Sequence, residues 1–164
     1  MSRLDSFIRR LAAQRACLDH AVRLIADLPG PVLEVGLGNG RTYDHLRERL
    51  PGREIFVFDR QVAAHPDCIP PADHLLLGDF RETLPAAGPR LGGGAALIHA
   101  DIGSGDEAQN ARLAAELAPL LARLLTRRGI LLGDQAMAVD GLVALPPPAD
   151  VKPGRYFLYR AAPA

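Results

Sequence analysis

The chain has 164 residues, 48% hydrophobic and 23% charged, with 19 basic residues balanced by 19 acidic ones. That length suits one ordinary domain, and the composition is that of a globular protein able to bury roughly two-thirds of its unfolded surface. A formal net charge of zero gives no electrostatic reason to expect nucleic acid or an anionic membrane face as partner, and no apolar run reaches the ~18–20 residues of a membrane span. Met1-Ser2-Arg3-Leu4-Asp5 lacks the basic-then-apolar pattern of an export signal. Cys17 and Cys68 have no CxxC spacing and no Cys/His cluster around them. The expectation is a cytoplasmic protein without a zinc site or a disulfide framework. Lys152 is the sole lysine, which nearly removes Schiff-base chemistry.

Residues 3–28 repeat apolar side chains at three- and four-residue steps, from Leu4, Phe7, Ile8 and Leu11 to Ile25 and Leu28, and predict a helix stopped by Pro29-Gly30-Pro31. Val32-Leu33-Glu34-Val35 predicts a strand that runs into glycines at 36, 38 and 40, with a helix to Leu50. Ile55–Phe58 and Leu75–Leu77 predict the second and third strands, and the Pro-rich crossing from His65 to Asp73 leaves little room for a long helix. Ala95–Ala100 predicts the fourth strand. Residues 106–127 predict a long helix with a kink or joint at Pro119 and a cap at Gly129, followed by a fifth strand at Ile130–Leu132. Continuously apolar strands alternating with helices imply a parallel sheet covered on both faces. Leu142–Leu145 and Tyr156–Tyr159 read as strands with no helix-length segment between them, so antiparallel or edge pairing is expected there. One domain is expected over 1–164: an N-terminal helix to 29, a core over 30–135 and an abbreviated Pro-rich tail over 136–164.

The strongest chemical signal is Glu34-Val35-Gly36-Leu37-Gly38-Asn39-Gly40-Arg41-Thr42. Glycines at alternate positions between a strand and a helix let the backbone turn tightly and approach a ligand, and the helix that follows offers free N–H groups. A dinucleotide fingerprint would place its third glycine at 41, where this chain has Arg41, and no GK[ST] follows to make a triphosphate loop.

The pattern resembles E/D-x-G-x-G-x-G, motif I of the class I S-adenosylmethionine-dependent methyltransferases. The resemblance continues in order along the chain. Asp59, ending the second strand, matches the acid that binds the ribose hydroxyls. Gly78-Asp79-Phe80, after the third, is similar to the adenine motif. Ala100-Asp101-Ile102, after the fourth, stands near where the methyl is transferred. It implies a Rossmann-like, three-layer α/β/α fold with a doubly wound, mostly parallel sheet and an antiparallel strand near the C-terminus. It implies S-adenosyl-L-methionine as cofactor and S-adenosyl-L-homocysteine as product. The implied cofactor set is Glu34 (near the methionine amine), Gly36, Leu37, Gly38, Gly40, Thr42, Asp59, Arg60, Gly78, Asp79, Phe80 and Asp101. Thr42 reads equally as a helix-capping residue.

Asp101 and Asp134 are the carboxylates expected at the acceptor, as catalytic residues. With Gln135 they resemble the Asp…Asp-Asn magnesium site of catechol-type O-methyltransferases, but position 135 is Gln rather than Asn, and no metal is expected. Strand alternation puts His99 beside a buried stretch, so it reads as a core or supporting histidine rather than a base. The expected reaction is methyl transfer to a small-molecule acceptor. Two alternatives stay open: a cofactor-binding assembly module without chemistry, and a nicotinamide oxidoreductase, against which Arg41 stands. The thin C-terminal edge predicts a homo-oligomer, joined through the N-terminal helix or the tail.

Overall fold

The computed structural model describes residues 2–162. Seven strands form one sheet: β1 (Val32–Val35), β2 (Ile55–Asp59), β3 (Leu75–Leu77), β4 (Ala95–Ala100), β5 (Leu125–Gly133), β6 (Leu142–Leu145) and β7 (Phe157–Ala161). Their order is β3-β2-β1-β4-β5-β7-β6. The first five run parallel, and β7 is antiparallel to both β5 and β6. Four helices accompany them: α1 (Arg3–Leu24), α2 (Arg41–Arg49), α3 (Phe80–Ala87) and α4 (Glu107–Leu124). Strand order reverses between β1 and β4, and at such a switch point the carboxyl ends of the strands open into a crevice.

Period-two alternation sorts the core. Val32, Val57, Leu97 and Leu132 face α1 and α2, where Cys17, Leu18, Ala21, Ile25 and Leu46 pack. Leu33, Phe58, Ile98 and Leu131 face the other way, onto Leu84 of α3 and Leu117 and Leu121 of α4. The same alternation places Glu34 and His99 on the α1/α2 side. The β1–β4 register makes them direct neighbours, and both are fully buried.

Ser2 starts α1 with a capping box, its side chain accepting from Asp5 N while Asp5 accepts from the Ser2 backbone. This helix ends at Leu24, a turn earlier than its apolar period suggests. Two single 3₁₀ turns, Pro66–Cys68 and Ala72–His74, fill the Pro-rich crossing.

Three expectations need correction. First, α3 has no counterpart in the apolar reading; Asp79 caps it and Pro85 lies inside it. Secondly, α4 continues through Pro119 without interruption. Thirdly, Gly129 does not cap that helix, which passes at Leu125 straight into β5. The β4–β5 register jumps from Ala95↔Leu125 to Leu97↔Ile130, and Arg128 at φ 65° marks the bulge. Gly129 sits in it because a Cβ there would lie 2.9 Å from Ala95 O.

Among the described residues no helix follows β5, so β6 is left as an edge with Val143 54% exposed. No helix among them is long and apolar enough to cross a membrane.

Candidate active site

Two cavities open at the carboxyl ends of the parallel strands and share Gly36, Gly38, Asp101 and Gly103, which makes them halves of one crevice. One, about 300 Å³, is bordered by Asp59, Arg60, Phe80 and Ile102. The other, about 480 Å³, is bordered by Leu37, Asn39, Arg41 and Thr42 and is walled by Phe7, Arg10, Leu11 and Gln14 of α1.

The glycine loop is tied to the end of β2. Asp59 Oδ2 accepts from Leu37 N at 2.9 Å and Gly38 N at 3.1 Å, while Oδ1 accepts from Arg60 N at 2.6 Å. Gly36, at φ 94°, lets β1 pass so close to β4 that a Cβ would lie 2.3 Å from Asp101 O. Gly38, at φ 51°, has nothing within 4 Å of that position. Gly40 is the N-cap of α2 without a side-chain cap, and it abuts Cys68. Gly78 turns the chain out of β3, its N–H donating to Asp59 O at 3.0 Å. Asp79 accepts from Arg81 N at 2.9 Å as the α3 cap, with the Arg81 and Arg60 guanidiniums beside it. That backbone hydrogen bond first, and the cations after it, hold its carboxyl below the usual range.

Several expected residues are not on the crevice wall. Glu34 is spent inside the protein: Thr42 Oγ1 donates to one oxygen and His99 Nδ1 donates to the other at 2.7 Å. Burial most strongly opposes a charge on His99, but the Glu34 carboxylate, helped by Asp101 and Asp134, raises the imidazole above its ordinary value. Thr42 therefore braces Glu34 rather than capping α2. Asp134 is turned into the loop after β4, with Oδ1 accepting from Ile102 N at 3.1 Å and Oδ2 from Gln135 Nε2 at 3.1 Å. Burial first, and then the Asp101 carboxylate, push Asp134 upward. Gln135 offers Asp134 its amide nitrogen, not its oxygen, and among the described residues no three His, Cys, Asp or Glu gather as a metal-ligand group.

Asp101 remains at the junction of the two halves. Its side chain is 22% exposed and has Arg10 at 3.8 Å. Gln14 Nε2 donates to Asp101 Oδ2 at 2.9 Å and to the Tyr156 hydroxyl at 3.2 Å, and that hydroxyl meets His99 Nε2 at 2.5 Å. Burial, reinforced by Asp101, pushes the Tyr156 phenol well above its ordinary value, so it keeps its proton. Sequence reasoning missed Gln14 altogether and took Tyr156 for a simple strand residue. A signal existed for Gln14: it is a lone amide on the buried stripe of α1, among Ala13, Cys17, Leu18 and Ala21.

The donor set fits an adenosyl cofactor. A carboxylate stands at the end of β2, Phe80 and Ile102 offer apolar walls, and open space adjoins the Gly38 backbone. A family model described as S-adenosyl-L-methionine methyltransferase matches residues 1–161. The S-adenosyl-L-methionine methyl transferase from Silicibacter pomeroyi DSS-3 is 50% identical in sequence, with a TM-score of 0.93 over 99% of each chain. The calicheamicin methyltransferase CalS11 is similar at 19% identity and TM-score 0.61, over 90% of this chain and 78% of its own. TomG, the O-methyltransferase from Streptomyces achromogenes involved in tomaymycin synthesis, was solved in complex with the cofactor. It is similar at 15% identity and TM-score 0.56, over 74% of this chain and 54% of its own. These last two share the fold. No curated protein matches the chain. Fold, crevice and family match agree and leave no place for the nicotinamide alternative: the chain belongs to the S-adenosyl-L-methionine methyltransferase family.

Proposed function

We propose that the chain acts as one domain over residues 1–164 and methylates a small molecule, with the cofactor lying along the crevice from Phe80 to Gln14. The observation that carries this is the meeting of Asp59, the glycine loop and Asp101 on one crevice beside a second, α1-walled half with room for an acceptor. Asp59 would take the ribose hydroxyls, since a carboxylate accepts from both. Arg60, Gly78 and Asp79 would border the adenine end, with Phe80 against the ring. Gly36, Leu37, Gly38 and Gly40 would shape the turn, with Glu34 and Thr42 supporting it from within.

When bound, S-adenosyl-L-methionine supplies an electrophilic methyl group on a sulfonium. What the protein adds is alignment, and acceptance of the acceptor's proton where that is needed. Asp101 would hold the amino-acid end of the cofactor and face the acceptor. Asp134 would act beside it by fixing the loop that carries Ile102 and Gly103.

Asp101→Asn is expected to slow methyl transfer by about 100-fold. The check is S-adenosyl-L-homocysteine formation across small-molecule acceptors, and unchanged turnover would contradict the role. Cofactor binding without turnover on any acceptor would instead favour an assembly module.

We further propose a cytoplasmic homo-oligomer. Free Cys17 and Cys68 suit a reducing compartment. Leu4, Phe7 and Ile8 stand 65%, 47% and 55% exposed on the first turns of α1, a patch that a second copy would cover. Light scattering at micromolar concentration is expected to give a mass above 17.6 kDa; a monomer would contradict it. Cell fractionation is expected to place the protein in the cytoplasm, and recovery outside it would contradict that.

A further inference from the structure

The hydrogen bonds running from Thr42 through the buried Glu34, His99, Tyr156 and Gln14 to Asp101 do more than fill the core. We propose that Gln14 and Tyr156, backed by His99 and Glu34, are positioning residues that decide which Asp101 oxygen meets the ligand. The inference rests on the reading of Asp101 given above.

The direction of the hydrogen bonds at each end is set by a carboxylate. Asp101 and Glu34 are carboxylates and can only accept. At one end Gln14 must therefore turn its amide nitrogen toward Asp101 Oδ2, 2.9 Å away. The second hydrogen of that nitrogen reaches the Tyr156 hydroxyl at 3.2 Å, so the phenol oxygen accepts there. At the other end Glu34 takes the His99 Nδ1–H at 2.7 Å, which fixes the ring's orientation and leaves Nε2 against the Tyr156 hydroxyl at 2.5 Å. The four residues between the ends are buried: Gln14 is 6% exposed, Tyr156 3%, and Glu34 and His99 0%.

A glutamine in this place is costly. An amide aligned with the buried Cys17 and Leu18 gives up rotamer freedom, and it would carry a desolvation cost without its partners. A leucine would fill the stripe more simply. What the glutamine adds is a hydrogen bond to one chosen oxygen of Asp101. With Oδ2 held by Gln14, Oδ1 is left on the side of Arg10, 3.8 Å away, where the α1-walled half of the crevice begins. Tyr156 holds the Gln14 amide in that flip. His99 and Glu34 hold the phenol, and Thr42 connects the assembly to the glycine loop. Residues near the two ends of the chain, 14 and 156, thus meet under the acid at the middle of the crevice.

The test is calorimetry with S-adenosyl-L-homocysteine and with 5′-methylthioadenosine, which lacks the amino-acid half. The proteins are the wild type, Gln14→Leu, Asp101→Asn and the double variant, each with its melting temperature recorded. Gln14→Leu is expected to weaken S-adenosyl-L-homocysteine binding by about tenfold, the loss of one hydrogen bond to a charged group, with 5′-methylthioadenosine unaffected. The double variant is expected to bind no more weakly than Asp101→Asn alone, because Gln14 acts through that carboxylate. Should Gln14→Leu fail to fold, Tyr156→Phe keeps shape and volume and carries the same comparison, with about a threefold loss expected. A Gln14→Leu protein that melts lower but binds like wild type, while Asp101→Asn binds weakly, would overturn the positioning role and leave the reading of Asp101 standing. Additive losses in the double variant would also overturn it. An Asp101→Asn protein that binds both compounds like wild type would remove the reading of Asp101 and this inference with it.

Discussion

Asp59→Ala is expected to weaken S-adenosyl-L-homocysteine binding by about 100-fold, the result of losing two hydrogen bonds to a charged acceptor. The side chain does two jobs, and the substitution removes both. It would bind the ribose hydroxyls, and it already holds the glycine loop through Leu37 N and Gly38 N. Without it those two N–H groups lose their partner and the turn is no longer fixed before the ligand arrives. Asp59→Asn separates the jobs. One oxygen remains for the loop, but an amide nitrogen replaces the acceptor that faces Arg60 N, and about tenfold weaker binding is expected. Calorimetry measures both variants, and an Asp59→Ala protein that binds like wild type would contradict the assignment.

Gly36→Ala is expected to be the more damaging change. Here φ is 94°, a conformation that disfavours any side chain, and the added carbon would meet Asp101 O at 2.3 Å. Neither side can yield easily. Asp101 N donates to Val35 O at 3.0 Å, which holds the ends of β1 and β4 together, and Gly36 N donates to Phe58 O at 2.8 Å, which fixes the turn to β2 on the other side. Relief must come from parting β1 and β4 at the point where the crevice forms. A loss of at least about 3 kcal/mol in stability is expected, with more than about 100-fold in cofactor affinity. Gly38→Ala is the control. It carries backbone strain of about 1–2 kcal/mol but meets nothing within 4 Å, so its melting temperature is expected to fall less. Thermal unfolding of the two variants settles the comparison; equal losses would contradict the close-approach argument.

The frame of this fold was legible because its strands are continuous apolar runs between clear breakers. Val32–Val35 and Ala95–Ala100 can only be buried on both faces, and the glycine loop between strand and helix marks the switch point. The helix α3 was hidden because its eight residues begin at Phe80 and include Pro85, so no apolar period develops. The passage from α4 to β5 was hidden for a different reason. Thr126-Arg127-Arg128-Gly129 reads locally as a helix end, whereas tertiary pairing with β4 draws the chain into the sheet and takes up the surplus as a bulge.

In the site, residues at strand ends were readable because position alone brings them to the crevice; Asp59 and Asp101 are examples. Side-chain direction was not readable. Glu34 carries the acid of the motif, yet alternation turns it onto the α1/α2 face, where register sets it against His99. Asp134 stands next to Asp101 by topology but spends its oxygens on Ile102 N of the following loop and on the Gln135 amide. Gln14 and Tyr156 lie 142 residues apart in sequence, and only the folded chain joins them.

Titration of the wild-type protein with S-adenosyl-L-homocysteine in a calorimeter tests the account most directly. One site per chain with roughly micromolar affinity is expected, and the heat of binding should be lost in Gly36→Ala. No measurable binding at concentrations up to about millimolar would contradict the crevice described here as the cofactor site.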